Sequence, residues 1–377
     1  MGGFCHEAFR PVRDAFAANF DQGNEQGASV YVTHHGEPVV DMWAGVAKDD
    51  GSPWVEDTIV NVYSTTKGVA STALHILADR GLVGYDEPVA TYWPEFAANG
   101  KAGILVRHVM GHTAGLSGFD PSIAPEVLYD WDAVCEILAA QATWWEPGTA
   151  SGYHAVTQGY LQGEIVRRVT GRTIGAFFRE EVAEPLGADF HIGLPASEDH
   201  RVADLVTSGA QLRDSAGIAR DSVAARTLGS CLLTAEEPRT RQWRGAEIPA
   251  AGGTGNARSV GRVHSALANG GAVDGVRIMR ADTVERVLEE QSNGTDLVLG
   301  FPLRFGMGFG LMGETIPLSP NERVFFWGGW GGSIAVTDLD AELTVTYVMN
   351  KMAPNLLGDL RGGLIVFSAY AALASLS

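Results

Sequence analysis

The chain has 377 residues, 45% hydrophobic and 19% charged, which is ample for one large globular core or two and carries no disordered signature. A formal net charge of −18, with no Lys/Arg cluster interleaved with aromatics, makes nucleic acid and anionic membrane surfaces poor partners. No apolar run reaches the roughly 18 residues that cross a bilayer, and the start MGGFCHEAFRPVRD lacks the basic and apolar regions of a signal peptide.

In chain order, residues 6–20 put Phe9, Val12, Phe16 and Phe20 on one helical face, with Pro11 in the first turn. SVYVTHHGEPVVDMWAGVA (29–47) reads as two strands with a turn near Gly36. TIVNVYS (58–64) reads as a short buried strand leading into a helix over 65–81 that Gly81 ends. From about 82 to 255, helical segments such as WDAVCEILAAQA and VTQGYLQGEIVRRVTG alternate with Pro/Gly loops. GRVHSALANGG and ADTVERVLEEQ read as further helices. Strands return over 322–352, with a hairpin-like turn at Asp338–Ala341, and GGLIVFSAYAALASL reads as a buried terminal helix. The expected fold class is therefore α/β in the α+β sense. An antiparallel sheet made from both chain ends (1–80 and 255–377) is flanked by helices and carries an inserted, mostly helical domain (81–254). Cys5, Cys135 and Cys231 are odd in number and widely spaced, so free thiols in a reducing cytoplasm are expected.

The stretch VYSTTKGVA (62–70) places Ser64 at a strand-to-helix junction and Lys67 three residues on. A serine there is ordinarily a cap, and a capping box would put Glu or Gln in the third position, not a cation at the positive helix end. Residues three apart on a helix share a face, with Cβ atoms about 5–6 Å apart. A buried lysine at the helix start has a lowered pKa and can accept the serine proton. The positive end would also favour an oxyanion. Only four of the 27 basic residues are lysines (Lys48, Lys67, Lys101 and Lys351), so a lysine here is somewhat informative.

Two further stretches carry chemistry. Tyr153 ends the polar loop EPGTASGY ahead of a helix, and a phenol beside a lysine ammonium loses its proton more readily and can relay it. In FFWGGWGGSIAV (325–336), glycine pairs inside a strand mark a bulge or a close approach of backbone or ligand. An N–H exposed at that edge would serve as a second oxyanion donor. His108 and His112 lie four apart, but HExxH is absent, and so are G-x-S-x-G, the P-loop and G-x-G-x-x-G after a strand. No metal and no organic cofactor is expected.

Together, Ser64-x-x-Lys67, Tyr153 and Trp327-Gly328-Gly329 resemble, in order and separation, the serine β-lactamase-like superfamily. The chain resembles its class C branch and penicillin-binding proteins, and most closely the family VIII carboxylesterases. ILVRHVMGHTAGL (104–116), GLVGYDEPVATYWPEF (81–96) and GGTGNARSVGRVHSALANGG (252–271) extend the resemblance over nearly the whole chain. It implies that Ser64 is the acylated nucleophile and that Lys67 and Tyr153 share the base role. It also implies that the N–H groups of Ser64 and Trp330 form the oxyanion hole, with the site between the two domains. Trp327, Gly328, Gly329 and Phe119 are assigned to substrate binding, and Trp327 and Trp330 are expected to shape the pocket.

Two departures narrow the substrate. Where class C β-lactamases and D-alanyl-D-alanine peptidases have Tyr-x-Asn, this chain has Tyr153-His154-Ala155; where they have Lys-Thr-Gly, it has Trp327-Gly328-Gly329. The groups that would hold an acylamino side chain and a substrate carboxylate are missing, and a charge-assisted hydrogen bond is worth roughly 1.5–3 kcal/mol. The resemblance therefore implies a small-molecule carboxylic ester substrate of short to medium acyl chain. Weak β-lactamase, D-alanyl-D-alanine peptidase, small-amide hydrolase or acyltransferase activity are the alternatives on the same residues.

Overall fold

The computed structural model describes residues 1–207, 219 and 221–376; of the expected helical insertion, 208–218 and 220 lie outside the described residues. The longer strands form where β-branched and aromatic residues alternate. The strands of the main sheet are β1 Gly2–Cys5, β2 Gly27–His34, β3 Glu37–Gly45, β4 Ser292–Thr295, β5 Pro302–Phe305, β6 Gly310–Leu311, β7 Val324–Gly328, β8 Ile334–Asp338 and β9 Leu343–Met349. They make one antiparallel sheet in the order β1-β3-β2-β9-β8-β7-β6-β5-β4, so the two chain ends meet where β2 pairs with β9. The long helices are α1 Arg10–Asp21, α2 Thr65–Asp79, α3 Trp131–Ala140, α4 Thr157–Thr170, α5 Ala257–Ala268 and α6 Leu360–Ala374.

Alternation in the central strands decides what each face meets. Val30, Val32, Val345 and Tyr347 pack with Phe9, Val12 and Phe16 at the start of α1 and with Ile365 and Val366 of α6. Tyr31 and Val348 point the other way, into a larger core with Val260 and Val263 of α5, Val69 and Leu74 of α2, and Tyr160 and Leu161 of α4. Almost every residue of α2 is buried, in keeping with its small apolar side chains. No helix among the described residues is long and apolar enough to cross a membrane, and all three cysteines are free thiols.

Several elements differ from expectation. β1 pairs with β3 although its sequence is only GGFC: at Gly3, φ is +95° and a Cβ would lie 1.9 Å from the Asp41 carbonyl oxygen. Strands β4 to β6 are two to four residues long, too short to show alternation. They lie outside β7, so the Trp327 strand is interior and not a sheet edge. However, β6 pairs only with Phe325 and Phe326, which leaves Trp327 and Gly328 without a strand partner on that side. Finally, α6 is buried on one face only; Leu360, Leu364 and Phe367 are exposed.

Candidate active site

The site begins with the turn that ends at Ser64. Tyr63 has φ +46°, a left-handed conformation that costs a non-glycine residue roughly 1–2 kcal/mol. It reverses the chain so that Ser64 starts α2. Neighbouring hydroxyls fix this turn. Thr66 Oγ1 donates to the Tyr63 carbonyl (2.5 Å) and accepts from Gly253 N–H (3.0 Å). Ser333 Oγ donates to the Val62 carbonyl (2.9 Å) and lies 3.0 Å from Thr65 Oγ1. Ser64 makes no side-chain cap bond, so its Oγ is free for other partners.

Those partners are Lys67 and Tyr153. Lys67 Nζ lies 3.1 Å from Ser64 Oγ, 2.7 Å from the Ala155 carbonyl and 2.9 Å from the Ala250 carbonyl. Burial alone pushes the Lys67 amine well below the ordinary lysine range, and no carboxylate among the described residues pairs with it. A neutral amine has two N–H groups and one lone pair. In that form the two carbonyls would take the N–H groups and the lone pair would face the Ser64 hydroxyl. Lys101 is the contrast: it is also buried, but its Nζ donates to three carbonyls, those of Ala98, Ala139 and Gln141, and has no side-chain partner. It is a structural lysine.

The Tyr153 hydroxyl donates to Ser64 Oγ at 2.5 Å. Burial raises the Tyr153 pKa, the Ser64 hydrogen bond opposes this, and the negative charge of Asp296 adds to it. The Tyr153 phenol is therefore harder to ionise than the sequence suggested, chiefly because it is buried. Ser64 Oγ thus sits between the Tyr153 hydroxyl, which donates to it, and Lys67 Nζ. The loop of Tyr153 is fixed by groups that carry no motif. Asp296 Oδ1 accepts from Tyr153 N–H (3.0 Å) and from the N–H groups of Val298 and Leu299. His112 Nδ1 accepts from His154 N–H, and His154 Nε2 accepts from Leu116 N–H. Burial pushes His154 down to about 3 and His112 well below the usual range, so both are neutral props.

The glycines after Trp327 turn out to serve close backbone approach. A Cβ at Gly328 would lie 2.4 Å from the Leu357 carbonyl carbon, and one at Gly329 would lie 2.2 Å from the Val62 carbonyl oxygen. This lets the β7–β8 turn sit against the Ser64 junction. Gly329→Ala is expected to cost about 1–3 kcal/mol, as overpacking does, measured by urea unfolding. The backbone N–H groups of Ser64 and Trp330 have no partner among the described residues.

A narrow cavity of about 30 Å³ opens over Ser64, lined by Tyr63, Tyr153, Ala155, Val156, Leu228, Leu233, Ala251, Trp330 and Leu356. None of these carries a charge. Ala155, the residue in place of an asparagine, is part of the wall. Trp330 lines the cavity as expected, its ring 5.1 Å from that of Tyr63. Trp327 does not: its indole is fully buried behind Tyr153, stacked on His112 at 5.7 Å and edge-on to Phe305. Phe119 is one layer back, in an adjoining hollow that shares Ala155, Val156, Leu228 and Leu233. A wider hollow of about 510 Å³ beside β5 and β6 contains none of the Ser64 group. Sequence reasoning missed Tyr63 and Asp296 and the supporting roles of His112 and His154; no local pattern signals them.

The family model described as Beta-lactamase matches residues 12–369. The chain belongs to the beta-lactamase family. Within that family it is similar to a solved family VIII carboxylesterase, at 44% identity and a TM-score of 0.93 over 98% of this chain and 99% of that one. A solved penicillin-binding protein homolog from Caulobacter crescentus is 40% identical with a TM-score of 0.92 and the same coverage. "Esterase/beta-lactamase LipL" of Mycobacterium tuberculosis is 37% identical over 96% of this chain and 85% of its own length. The large antiparallel sheet with its helices matches the fold of these solved relatives.

Proposed function

We propose that this protein is a serine hydrolase that cleaves carboxylic esters of short, uncharged acyl groups. One observation carries the reading: the Tyr153–Ser64–Lys67 hydrogen-bond chain opens into a cavity without a charged side chain. Similarity to a family VIII carboxylesterase supports the same choice, and the name of the relative Esterase/beta-lactamase LipL includes it.

Lys67 takes the Ser64 proton as Oγ attacks the acyl carbon. The carbonyl oxygen becomes an oxyanion facing the N–H groups of Ser64 and Trp330 and the positive end of α2. Collapse breaks the bond to the alcohol. Tyr153 O–H protonates the departing oxygen, and the Lys67 ammonium restores the phenol proton. That ammonium lies 4.7 Å from the centroid of the Tyr153 ring, whose face stabilises it while it lasts. Water then attacks the acyl-enzyme by the same steps in reverse. A cavity of about 30 Å³ has room for roughly two water-sized groups, so acetyl and propionyl esters are favoured. On this reading the partner is a small ester. The site lies between the sheet lobe (1–80, 255–377) and the helical lobe (81–254), and the free thiols fit a cytoplasmic setting.

The test is a p-nitrophenyl ester series against a chromogenic cephalosporin, with fluorophosphonate labelling mapped by peptide mass. Acetate and propionate should exceed decanoate and the cephalosporin, with the label on Ser64. A cephalosporin turned over as fast as the best ester would move the reading to a β-lactamase. Tyr153→Phe should cost about 10²-fold on an ethyl ester and much less on a p-nitrophenyl ester, whose leaving group needs no proton.

A further inference from the structure

The turn Gly329–Ser333 presents the Trp330 N–H, and its own hydrogen bonds decide where that N–H points. In a trans peptide the C=O and N–H point in opposite directions. The Gly329 carbonyl, in the same peptide plane as the Trp330 N–H, accepts from Gly332 N–H (3.2 Å) and Gly358 N–H (3.4 Å). The orientation of the Trp330 N–H is thus tied to the position of Gly332. Gly332, with φ +130°, lies directly on a guanidinium: a Cβ there would be 2.4 Å from Arg361 Nη2. The same Nη2 donates to the Gly331 carbonyl at 2.6 Å.

Arg361 is buried and uses its whole fork. Nη1 donates to Glu25 (2.8 Å) and to the Lys351 carbonyl (2.7 Å), while Nη2 and Nε grip Asp359, the cap of α6. Planar bidentate geometry of this kind is not available to a lysine.

We propose that Arg361 is a positioning residue for the oxyanion hole: clamped between Glu25 and Asp359, its guanidinium fixes the Gly331–Gly332 backbone and so aims the Trp330 N–H. This rests on reading the Trp330 N–H as an oxyanion donor. A residue that only ties α6 to the sheet would affect the amount of folded protein but not the chemistry of the folded fraction.

The test compares wild type with Arg361→Lys, which keeps the charge and loses the fork. Two readouts are independent of the folded fraction. One is the preference for an oxygen ester over its thionoester, whose C=S is a poor hydrogen-bond acceptor. The other is the rate constant of Ser64 labelling by a fluorophosphonate, with kcat taken per labelled site. Arg361→Lys should lower kcat about 10- to 100-fold with KM within about twofold, and should shrink the ester-to-thionoester preference about tenfold. Fluorophosphonate labelling of Ser64, whose P–O oxygen enters the same hole whatever the natural substrate, should slow in parallel. If esters are not hydrolysed but labelling still slows, the ester reading fails and the role of Arg361 stands. An unchanged ester-to-thionoester ratio and labelling rate in active enzyme would overturn that role. Asp359→Asn, which keeps the shape of the clamp and removes one charge, is read by the same ratio should Arg361→Lys not fold.

Discussion

Replacing Ser64 with alanine should lower ester hydrolysis by about 10⁵-fold, and adding Lys67→Met to that variant should cost nothing more. As the neutral base, Lys67 Nζ spends both N–H groups on the carbonyls of Ala155 and Ala250. Its remaining lone pair has one target, the Ser64 hydroxyl, so without Ser64 it has nothing to deprotonate. Groups acting as one unit are non-additive in this way. Steady-state kinetics on p-nitrophenyl acetate, with each variant's fold checked by circular dichroism, measures both values. If the double variant falls another 10²-fold below Ser64→Ala, Lys67 acts on something other than Ser64.

Lys67→Met alone should lower kcat by about 10³- to 10⁴-fold, near the upper range for a general base. The pH dependence identifies the cause. In wild type, kcat/KM should rise with pH through the depressed lysine pKa and level off well below the ordinary value of 10.5; the variant should lack that limb. Stability should shift in a matching sense. An amine whose folded pKa lies below its unfolded value binds protons more tightly when unfolded. The folded wild type is therefore penalised most at low pH, and the penalty fades as pH rises toward 10.5. Denaturant unfolding at several pH values should show wild type gaining on Lys67→Met as pH increases. A constant difference would mean that the Lys67 pKa is not depressed.

How far the sequence could be read depended on length and locality. α3 and α4, ten and fourteen residues with regular apolar spacing, were legible, as were β2, β3 and the β7–β9 run with its turn at Asp338–Ala341. β4 to β6 were not, because two to four residues hold no periodicity. The Ser64–Lys67 pair was legible because both lie on one helical turn, where spacing fixes the geometry. Asp296 was not: it reaches Tyr153 across 143 residues through a backbone N–H, a bond that leaves no imprint on residue type. The glycines at 328 and 329 leave a bulge and a close approach of backbone or ligand equally open in the sequence; that the neighbours are the chain's own carbonyls only the fold reveals. The protonation of Tyr153 turned on burial, which no local pattern encodes.

The placement of Trp327 bears on how such a scaffold could acquire action on antibiotics. Restoring a cation at this position looks like a single substitution when written as text. In the folded protein the indole is wedged against His112, Tyr153 and Phe305, with no solvent exposure. A lysine introduced alone would leave an indole-sized void and bury a charge among three rings, a change worth several kcal/mol against the fold. The ring stack under Tyr153 would have to be rebuilt in the same step, so selection acting one substitution at a time meets a valley here. That valley separates neighbouring activities that share every reacting atom.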